Sequence, residues 1–551
     1  MQIIIPMSGF GERYRRAGYK IPKPLIIVEG KPIIAHVIGM FPDENDFIFI
    51  CNSDHLDNPK FKMKNILNKY APGCKIVSVR PHKLGPVHAV LKAENFINQD
   101  SGVIVNYCDF CCYWNWKKYK HDISKNLCFG SIPAYKGFHP HSLGNTNYAY
   151  MLEKNGNVID IQEKKPFTSD KMNEYASSGT YYFSSGKLML DSFKYLIDEG
   201  LDLNGEYYVS LAYKYLLKNN LKVSIFPIQH FMQWGTPEDL SEYNYWSELF
   251  REIIKPRIPS KISSGNLVIP MAGLGKRFFD EGYKTTKPLI EVSGKPMVIQ
   301  AINDLNYAKL NKSFVVRNDM FDLKDLKKEL IKSFPKSKIK NLMSTTEGQA
   351  ITALIGMRNL IDNKNKKIKG HVTFGACDNG VIYDADKLNS YLNDKTIDII
   401  IWGVRGYYNS VRFPNMYGWI KEKDGNIEKI SVKKPLKSPE DDPIIIGTFT
   451  FKNANDYSEC VNKLIDDNDK VNGEYYIDSC INKAIEMGLK CKLFEVDYYL
   501  CWGTPNDLKT FEYWQSCFHK WDSHPYNLHV DSRVDEDKVD KLELKYKIFN
   551  Q

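Results

Sequence analysis

The sequence has no apolar run long enough to cross a lipid bilayer and no set of cysteines and histidines with the spacing of a zinc site. A bilayer span needs roughly 20 consecutive apolar residues, whereas the apolar runs here are short. No basic segment or cleavage site of a secretory signal opens the chain, so we expect a cytoplasmic protein without a membrane partner. Its 12 cysteines are scattered, which is typical of buried thiols in a reducing compartment.

The charge is not concentrated in any one stretch either. There are 75 Lys and Arg residues against 66 Asp and Glu residues, and the formal net charge is +9. Scattered lysines at this mild excess argue against a nucleic-acid partner and suit an anionic, phosphorylated substrate. A chain of 551 residues is also too long for one ordinary core, so the length predicts more than one domain.

A short glycine motif occurs twice. The segment Met7–Arg13 reads MSGFGER, and Met271–Arg277 reads MAGLGKR 264 positions further along the chain. Each copy follows a short apolar run and precedes a Lys-Pro-Leu sequence. Two glycines let the backbone turn and expose successive N–H groups, and a helix N-terminus behind them adds partial positive charge. The pattern predicts a strand, a phosphate-binding loop and a helix.

Other residues pair off between the two halves in the same order, which a chance glycine motif would not do. Their offsets stay between 263 and 269, and most of the drift enters near a polar run at 362–367. A period of this length indicates two complete domains rather than a solenoid. We predict domain 1 at 1–258, a linker at 259–265, domain 2 at 266–525, and a charged extension of helical character at 526–551.

Apolar runs alternate with amphipathic stretches in each half, which predicts an α/β fold with a mainly parallel sheet. Examples of strand-like runs are 46–50, 102–106 and 396–401. Ligands of such folds lie at the carboxyl ends of the strands. We therefore expect the glycine loop and Asp109, which follows the run ending at Val105, to share one cleft.

The loop does not fit two well-known phosphate-binding motifs. A dinucleotide fingerprint would need a third glycine where Tyr14 and Phe278 stand, and a P-loop would need Lys-Ser or Lys-Thr after the second glycine. What remains is Gly-x-Gly-x-Arg with Lys-Pro-Leu beginning ten residues after the arginine. This arrangement resembles the nucleotidyltransferase superfamily that makes nucleoside-diphospho-sugars, such as glucose-1-phosphate thymidylyltransferase, and the resemblance covers both halves.

The resemblance implies two tandem Rossmann-like domains of the GT-A type, each with a central sheet flanked by helices. It also implies a Mg²⁺-dependent, bifunctional enzyme that condenses an NTP with a phosphorylated sugar or polyol and releases pyrophosphate. Fixed cations would stabilise the charge that grows during in-line attack on the α-phosphorus. Surface polysaccharide or other glycoconjugate synthesis would be its pathway.

The resemblance further assigns roles to residues of both halves. The catalytic cations would be Arg13, Lys23, Arg277 and Lys287. The nucleotide would be held by Gly9, Gly11, Arg80, Gly85, Gly273, Gly275, Gly348 and Gln349. The phosphorylated acceptor would be held by Tyr148, Lys165, Gly179, Glu206, Tyr417, Lys434, Gly447 and Glu474. Asp109 and Asp378 would bind Mg²⁺, since a hard carboxylate suits that cation.

The chain departs from the superfamily pattern at the second metal ligand. Thymidylyltransferases have an aspartate two residues before the Gly-Thr of the Trp-Gly-Thr-Pro motif, where this chain has Gln233 and Cys501. Either one carboxylate holds the metal, or a neighbour replaces the missing one, namely Glu206 or Asp239 in the first half and Glu474 or Asp507 in the second. Lys164 is likewise an alternative to Lys165.

Two regions differ between the halves and indicate different substrates. Ahead of the acceptor tyrosine the first half has His139–Asn145 and the second has Arg412–Asn415; the base site has Arg80 and Gly85-Pro86 in one half and Met343 and Gly348-Gln349 in the other. Three alternatives to two active domains stay open. One half is a regulatory nucleotide-binding domain, the chain is a GT-A glycosyltransferase that uses NDP-sugars, or it is a non-catalytic nucleotide sensor.

Overall fold

The computed structural model describes residues 1–256, 264–306, 310–361 and 367–546. The chain forms two compact units. Unit 1 comprises Met1–Ser247, Ser516–Pro525 and a segment that begins at Glu543, and unit 2 comprises Glu248–Gln515 and Tyr526–Leu542. The chain therefore returns to unit 1 after residue 515, which two consecutive domains would not do. Residues 259–263 of the predicted linker and 362–366 of the predicted polar loop lie outside the described residues.

Unit 1 is an alternation of strands and helices. Its strands are β1 Gln2–Met7, β2 Ile27–Val28, β3 Lys31–Pro32, β4 Asp46–Asn52, β5 Lys75–Val79, β6 Val103–Asn106, β7 Phe110–Tyr113, β8 Gly130–Tyr135, β9 Ala149–Lys154, β10 Asn157–Glu163, β11 Tyr175–Ser177, β12 Thr180–Phe183, β13 Val223–Pro227 and β14 His230–Gln233. Its helices are α1 Glu12–Arg16, α2 Ile33–Gly39, α3 Ser53–Asp57, α4 Met63–Tyr70, α5 Pro86–Leu91, α6 Trp116–Lys125, α7 Gly186–Asp198, α8 Tyr213–Lys218 and the start of α9 Pro237–Ile253.

Unit 2 repeats this alternation. Its strands are β15 Asn266–Pro270, β16 Glu291–Val292, β17 Lys295–Pro296, β18 Asn311–Arg317, β19 Lys338–Leu342, β20 Val372–Phe374, β21 Asn379–Ile382, β22 Ile399–Val404, β23 Gly418–Lys423, β24 Asn426–Val432, β25 Ile444–Phe451, β26 Cys491–Glu495 and β27 Tyr498–Cys501. The helices that follow α9 are α10 Lys276–Asp280, α11 Met297–Asp304, α12 Leu323–Ser333, α13 Gln349–Arg358, α14 Ala385–Asn393, α15 Tyr408–Arg412, α16 Ala454–Asp466, α17 Ile477–Glu486, α18 Pro505–Lys520 and α19 Val539–Lys545.

The two large sheets have the same strand order. Within the described residues the sheet of unit 1 runs β5-β4-β1-β6-β12-β8-β13-β10-β9-β11, and the sheet of unit 2 runs β19-β18-β15-β20-β25-β22-β26-β24-β23. Each strand of the second series stands where its sequence partner stands in the first. The α/β fold and its duplication, predicted from the repeated motifs, are therefore confirmed.

The sheets are mixed rather than mainly parallel. In unit 1, β1 pairs parallel with both β4 and β6, and β4 pairs parallel with β5. Beyond β6 most pairings are antiparallel, including β6 with β12 and β10 with β9. The hairpin β9–β10 needs only a tight turn, whereas parallel neighbours need a crossover connection. Parallel order thus characterises the half of the sheet that carries the glycine loop.

The core lies against the centre of each sheet. Ile3, Ile4 and Ile5 of β1 have no exposed surface, and neither have Leu267, Val268 and Ile269 of β15. Such continuous burial is expected of a central strand covered on both faces. A second, two-stranded sheet in each unit pairs β7 with β14 or β21 with β27, and it follows the predicted metal-binding aspartate directly.

The charged C-terminal extension is a packed part of the molecule over its described length. Residues Tyr526–Leu542 belong to unit 2, and the extension contains the seven-residue helix α19. Arg533 is buried there beside Asp531, with Nη2 to Oδ2 at 3.2 Å. Across the described ranges no helix combines the length and the apolar character that crossing a membrane requires.

Candidate active site

Each glycine motif forms a loop at the carboxyl end of the central strand. Gly11 and Gly275 have φ angles of 63° and 64°, a left-handed conformation that a side chain disfavours. Nothing lies within 4 Å of a Cβ built on Gly9 or Gly273, so the backbone there faces open space. The helices behind the loops, α1 and α10, have only five residues each. The loop N–H groups and nearby cations, more than a helix dipole, are therefore the groups available to an anion here.

A lysine and an aspartate meet beside each loop. Because β1 and β6 are parallel neighbours, the turn after β6 lies next to the glycine loop and presents Asp109 there. Lys23 Nζ lies 2.8 Å from Asp109 Oδ2, and Lys287 makes the equivalent bond to Asp378 in unit 2. Burial disfavours the ammonium of Lys23, but the carboxylate of Asp109 outweighs it and raises the pKa of Lys23 above its ordinary value.

These residues line one cleft per unit, which we call the loop cleft. The loop cleft of unit 1 has a volume of about 530 Å³ and that of unit 2 about 540 Å³. Predicted site residues that line the first are Gly9, Gly11, Arg13, Lys23, Gly85, Asp109 and Glu206. Those that line the second are Gly273, Gly275, Arg277, Lys287, Gly348, Gln349, Asp378 and Glu474.

The segment 204–208, which reads Asn-Gly-Glu-Tyr-Tyr and recurs at 472–476, is brought to the loop cleft by a backbone contact. Tyr207 N donates to Leu84 O at 3.0 Å, and Val87 N donates to Tyr207 O at 3.2 Å. Gly85 lies between them with φ 87°, and a Cβ there would be 2.6 Å from the backbone of Tyr207. Gly348 stands in the same relation to Tyr475. The glycine is needed for this close approach, which sets Glu206 or Glu474 in the cleft wall.

A second pocket of unit 1, the side pocket, adjoins the loop cleft and shares Arg13 and Asp109 with it. It has a volume of about 180 Å³ and is also lined by Tyr148, Gly179, Glu163, Lys164 and Gln233. In unit 2 the counterpart of Tyr148, Tyr417, is buried, and Gly447 has φ 76° beside Asn379. The predicted acceptor residues Tyr148 and Gly179 are thus brought together beside the loop cleft.

Two predicted lysines do not face the pocket. Lys165 and Lys434 are exposed, whereas the preceding residues, Lys164 and Lys433, are half-buried with φ angles of 56° and 53°. Lys164 Nζ bonds Tyr208 OH at 2.5 Å, and Lys433 lies over the ring of Tyr476. The left-handed turn rotates the first lysine of each pair inward and the second outward. The geometry therefore favours Lys164, the alternative to Lys165.

The predicted base contact Arg80 is exposed just after β5 and is not among the residues that line the loop cleft. His82 and Lys83 line it instead. Met343, at the corresponding place in unit 2, is 84% exposed. The two helix starts also differ, because α5 begins with Pro86 and α13 with Gln349, whose amide both donates and accepts hydrogen bonds.

Gln233 and Cys501 stand beside the aspartates, where the superfamily pattern predicts a second carboxylate. A Cβ on Gly235 would lie 2.5 Å from Gln233 Nε2 and 3.1 Å from Asp109 Oδ2. A Cβ on Gly503 would lie 3.4 Å from Asp378 Oδ2 and 3.5 Å from Cys501 Sγ. The glycine of the Trp-Gly-Thr-Pro motif therefore separates the two side chains in each unit and leaves room between them.

The donor set fits Mg²⁺. Unit 1 offers the carboxylate of Asp109, a hard ligand, beside the side-chain amide of Gln233, and unit 2 offers the carboxylate of Asp378. Among the described residues no group of three or more His, Cys, Asp or Glu side chains could hold a metal alone. Mg²⁺ commonly binds through one or two carboxylates, with water and substrate phosphates as its other ligands.

The other candidate carboxylates have different surroundings. Thr236 Oγ1 donates to Asp239 Oδ2 at 2.8 Å, and Asp239 N donates back to Thr236 Oγ1 at 3.1 Å, a capping box at the start of α9. Asp507 repeats this with Thr504 at the start of α18. Asp239 and Asp507 therefore hold helix ends, whereas Glu206 and Glu474 line the clefts.

Sequence reasoning missed several residues that line the pockets, among them Glu163, Tyr208 and Gly235. Burial raises the pKa of Glu163 to about 7, although Ser210 Oγ donates to it at 2.6 Å. Glu163 directly precedes Lys164 and Lys165 in the chain, and that position is the signal that could have found it. Gly235 belongs to the Trp-Gly-Thr-Pro motif, and Tyr208 to an Asn-Gly-Glu-Tyr-Tyr sequence at 204–208 that recurs at 472–476.

Comparison with known proteins matches residues 2–247 to the family model described as nucleotidyl transferase. A protein named Bifunctional protein GlmU from Methanocaldococcus jannaschii is 25% identical over 265 residues, which cover 48% of this chain and 58% of that protein. The protein of the same name from Methanococcus vannielii is 27% identical over 282 residues, covering 49% and 61%. The chain thus spans about six tenths of the length of these relatives.

Among solved structures, the nucleoside-diphosphate-sugar pyrophosphorylase from Vibrio cholerae RC9 is 22% identical, with a TM-score of 0.38. The match covers 44% of this chain and 98% of that one.

Proposed function

We propose that this chain, whose residues 2–247 match the nucleotidyl transferase family model, is a tandem, bifunctional nucleotidylyltransferase that makes NDP-sugar-type products. Each unit would join an NTP to a phosphorylated sugar or polyol and release pyrophosphate. The observation that carries the proposal is the repeated loop cleft. Both units hold a glycine loop, an arginine and a lysine–aspartate pair in clefts of nearly equal volume.

The chain's own groups suit this reaction. The loop N–H groups and Arg13 or Arg277 would bind the triphosphate, with Lys23 or Lys287 reaching its α- and β-phosphates. The acceptor would lie in the side pocket, with its phosphate toward Lys164 or Lys433. An acceptor phosphate oxygen would then attack the α-phosphorus in line, while the fixed cations stabilise the growing negative charge. No covalent nucleophile of the protein is needed.

Mg²⁺ would bind at Asp109 and at Asp378 and would neutralise charge on the phosphate oxygens. The lysine bound to each carboxylate holds it in position before substrate arrives. Because the aspartate accepts from lysine through one oxygen, Oδ2, its other oxygen is available to the cation. Removal of divalent cations with a chelator tests the proposed metal requirement.

The test is pyrophosphate release by the full chain and by Asp109→Ala, Asp378→Ala and the double variant, with four NTPs and a panel of sugar and polyol phosphates. Two active units predict that each single variant loses turnover of one substrate pair by at least 100-fold and keeps the other. The double variant should be inert. If Asp378→Ala leaves every activity intact, unit 2 is a regulatory domain.

Two further outcomes would replace the proposal. Transfer of a sugar from an NDP-sugar without consumption of NTP would identify a glycosyltransferase. Tight NTP binding without pyrophosphate release from any pair would identify a nucleotide sensor.

A further inference from the structure

The side pocket of unit 1 contains a carboxylate at the end of a strand. Glu163 is the last residue of β10 and lies opposite Ala149 on β9. Ser210, from the segment before α8, donates to Glu163 Oε2 at 2.6 Å. The hydroxyl of Ser210 is therefore in contact with the carboxylate of Glu163, and Ala149 on the neighbouring strand lines the same pocket as Glu163.

Unit 2 has different residues at all three positions. Val432 replaces Glu163 as the last residue of β24, and Gly418 replaces Ala149 as the residue opposite it on β23. Asp478, in the first turn of α17, replaces Ser210. Unit 2 therefore has no carboxylate at the end of β24. Its acidic residue, Asp478, occupies the position of Ser210, which is the hydrogen-bond partner of Glu163 in unit 1.

The surroundings of Asp478 place its carboxylate at the corresponding point. Asp478 Oδ2 lies so close to Gly418 that a side chain there would collide with it. The alanine of unit 1 could not occupy this position, so the glycine and the aspartate fit each other as a pair. Burial raises the pKa of Asp478 to about 6, and the ammonium of Lys433 opposes that rise. Asp478 remains partly exposed.

The neighbours of this carboxylate are the residues that would hold the acceptor. Gly418 follows Tyr417 and Val432 precedes Lys433, so Asp478 faces the strand ends that carry both. A carboxylate accepts strong hydrogen bonds from hydroxyl groups, and a buried one discriminates strongly against a ligand that cannot donate. Val432, by contrast, offers only apolar surface.

We propose that Asp478 is the acceptor-specificity residue of unit 2 and binds a hydroxyl group of the phosphorylated sugar or polyol, in place of the strand carboxylate that Glu163 supplies in unit 1. The inference rests on the proposed function. The carboxylate comes from helix α17 in unit 2 and from strand β10 in unit 1, so the two units present it to an acceptor hydroxyl in different ways. The two units consequently take different acceptors.

The test uses the full chain in an Asp109→Ala background, where pyrophosphate release reports unit 2. Asp478→Asn keeps the shape of the side chain and removes its charge. We expect the KM for the acceptor to rise at least tenfold, with the KM for NTP within twofold. Asp478→Ser, the residue of unit 1, should do the same, and adding Val432→Glu to it should restore part of the loss. An acceptor that lacks the contacted hydroxyl should be insensitive to Asp478→Asn.

Asp466→Asn, at an exposed position of α16, is the matched control and should change neither KM. Thermal unfolding of each variant checks that it is folded. If Asp478→Asn changes the KM for the acceptor by less than twofold, or raises both KM values alike, the inference is wrong while the proposed function stands. If the Asp109→Ala chain releases no pyrophosphate with any pair, the activity of unit 2 and the inference both fall.

Discussion

At the scale of single residues, the two units share the lysine–aspartate pair and differ around it. Lys23 with Asp109 and Lys287 with Asp378 keep one geometry although the remaining sequence has diverged. A pair of opposite charges that are each about four-fifths buried contributes little net stability, because desolvation offsets the attraction. Its retention in both clefts is better explained by phosphate chemistry than by folding.

The turn that carries the two adjacent lysines gives the first prediction. Lys164 faces Tyr208 and the side pocket, whereas Lys165 is exposed. Lys164→Ala should lower kcat/KM of unit 1 for the acceptor by roughly 100-fold, the effect of about 3 kcal/mol for a lost charge-assisted bond to phosphate. Lys165→Ala, the matched control, should change it by less than twofold. Steady-state kinetics in an Asp378→Ala background measures both; equal losses would contradict the assignment.

Glu163 gives a prediction about pH. Burial raises the pKa of Glu163 to about 7, so its carboxylate ionises as pH rises through 7. If the ionised form binds an acceptor hydroxyl, the KM of unit 1 for the acceptor should fall roughly tenfold between pH 6 and pH 8, the range over which the ionised fraction rises from about a tenth to about nine tenths. In Glu163→Gln this dependence should disappear. A profile that is identical in the two proteins would contradict it.

The raised pKa of Glu163 also makes the stability of unit 1 depend on pH, in the sense opposite to acceptor binding. Between pH 4.5 and pH 7 the folded chain holds a proton on Glu163 that the unfolded chain releases. This contribution to the free energy of unfolding is therefore present below pH 4.5 and is lost as pH rises to about 7. Binding of acceptor and stability of unit 1 thus make opposite demands on this carboxyl group.

At the scale of secondary-structure elements, the C-terminal segment Tyr526–Leu542 completes unit 2. Tyr526 OH donates to Asp531 Oδ2 at 2.8 Å, and Gln515 Nε2 donates to Tyr526 OH at 2.8 Å. Arg533 is bound to Asp531 and lies 4.0 Å from Asp304 at the end of α11. Burial disfavours the charge of Arg533, but the two carboxylates outweigh it and raise its pKa. The segment that the sequence predicts as a charged extension thus contributes buried charged residues to an ion cluster inside unit 2.

Removal of Arg533 should therefore destabilise unit 2. Arg533→Ala removes the cation that contacts the buried carboxylates of Asp531 and Asp304, and we expect a loss of about 3–5 kcal/mol in the free energy of unfolding. Denaturant unfolding of the full chain, followed by tryptophan fluorescence, measures it. Lys541→Ala removes an exposed ion pair with Glu291 and should cost less than about 1 kcal/mol. A loss that is no larger for Arg533→Ala than for Lys541→Ala would refute the cluster's role.

The mixed order of the sheets also belongs to this scale. Apolar runs and amphipathic stretches predicted the parallel half correctly, because a parallel strand must be buried on both faces. The antiparallel half depends on hairpins such as β9–β10, whose strands have polar residues and weak periodicity. The position of such strands in the sheet also depends on pairings between residues distant in the chain, such as β6 with β12, which short sequence windows do not show.

At the scale of the whole molecule, unit 1 includes the distant segment Ser516–Pro525. The ring of Trp521 lies 5.3 Å from that of His36, 6.0 Å from that of Trp234 and 6.2 Å from that of Tyr243. His230 Nε2 bonds Ser516 Oγ at 2.5 Å in the same unit. Residues 1–258 by themselves therefore lack part of the core of unit 1, and point variants of the full chain are the better way to separate the two activities.

Trp521→Ala should accordingly destabilise unit 1, although Trp521 lies more than 260 residues beyond the end of its main segment. Loss of a buried tryptophan costs about 3–5 kcal/mol. Thermal and denaturant unfolding of the full chain measure it, with Phe129→Ala at a 43% exposed position as the control. A fragment of residues 1–258 that is as stable as unit 1 in the full chain would show that Ser516–Pro525 adds nothing to its core.

The sequence by itself determined the fold class, the duplication and the identity of the loop cleft. The left-handed glycines, the lysine and the aspartate stand at fixed places between apolar runs in both halves. Because each is required locally, the same residue types recur in the two halves and can be recognised in the sequence. The tertiary structure decided which of two adjacent lysines faces the pocket, since one left-handed turn rotates them apart. It also decided that the carboxylate of Asp478 lies against Gly418, and that a segment after residue 515 belongs to unit 1. Such relations join residues that are distant in the chain, and only packing brings them together.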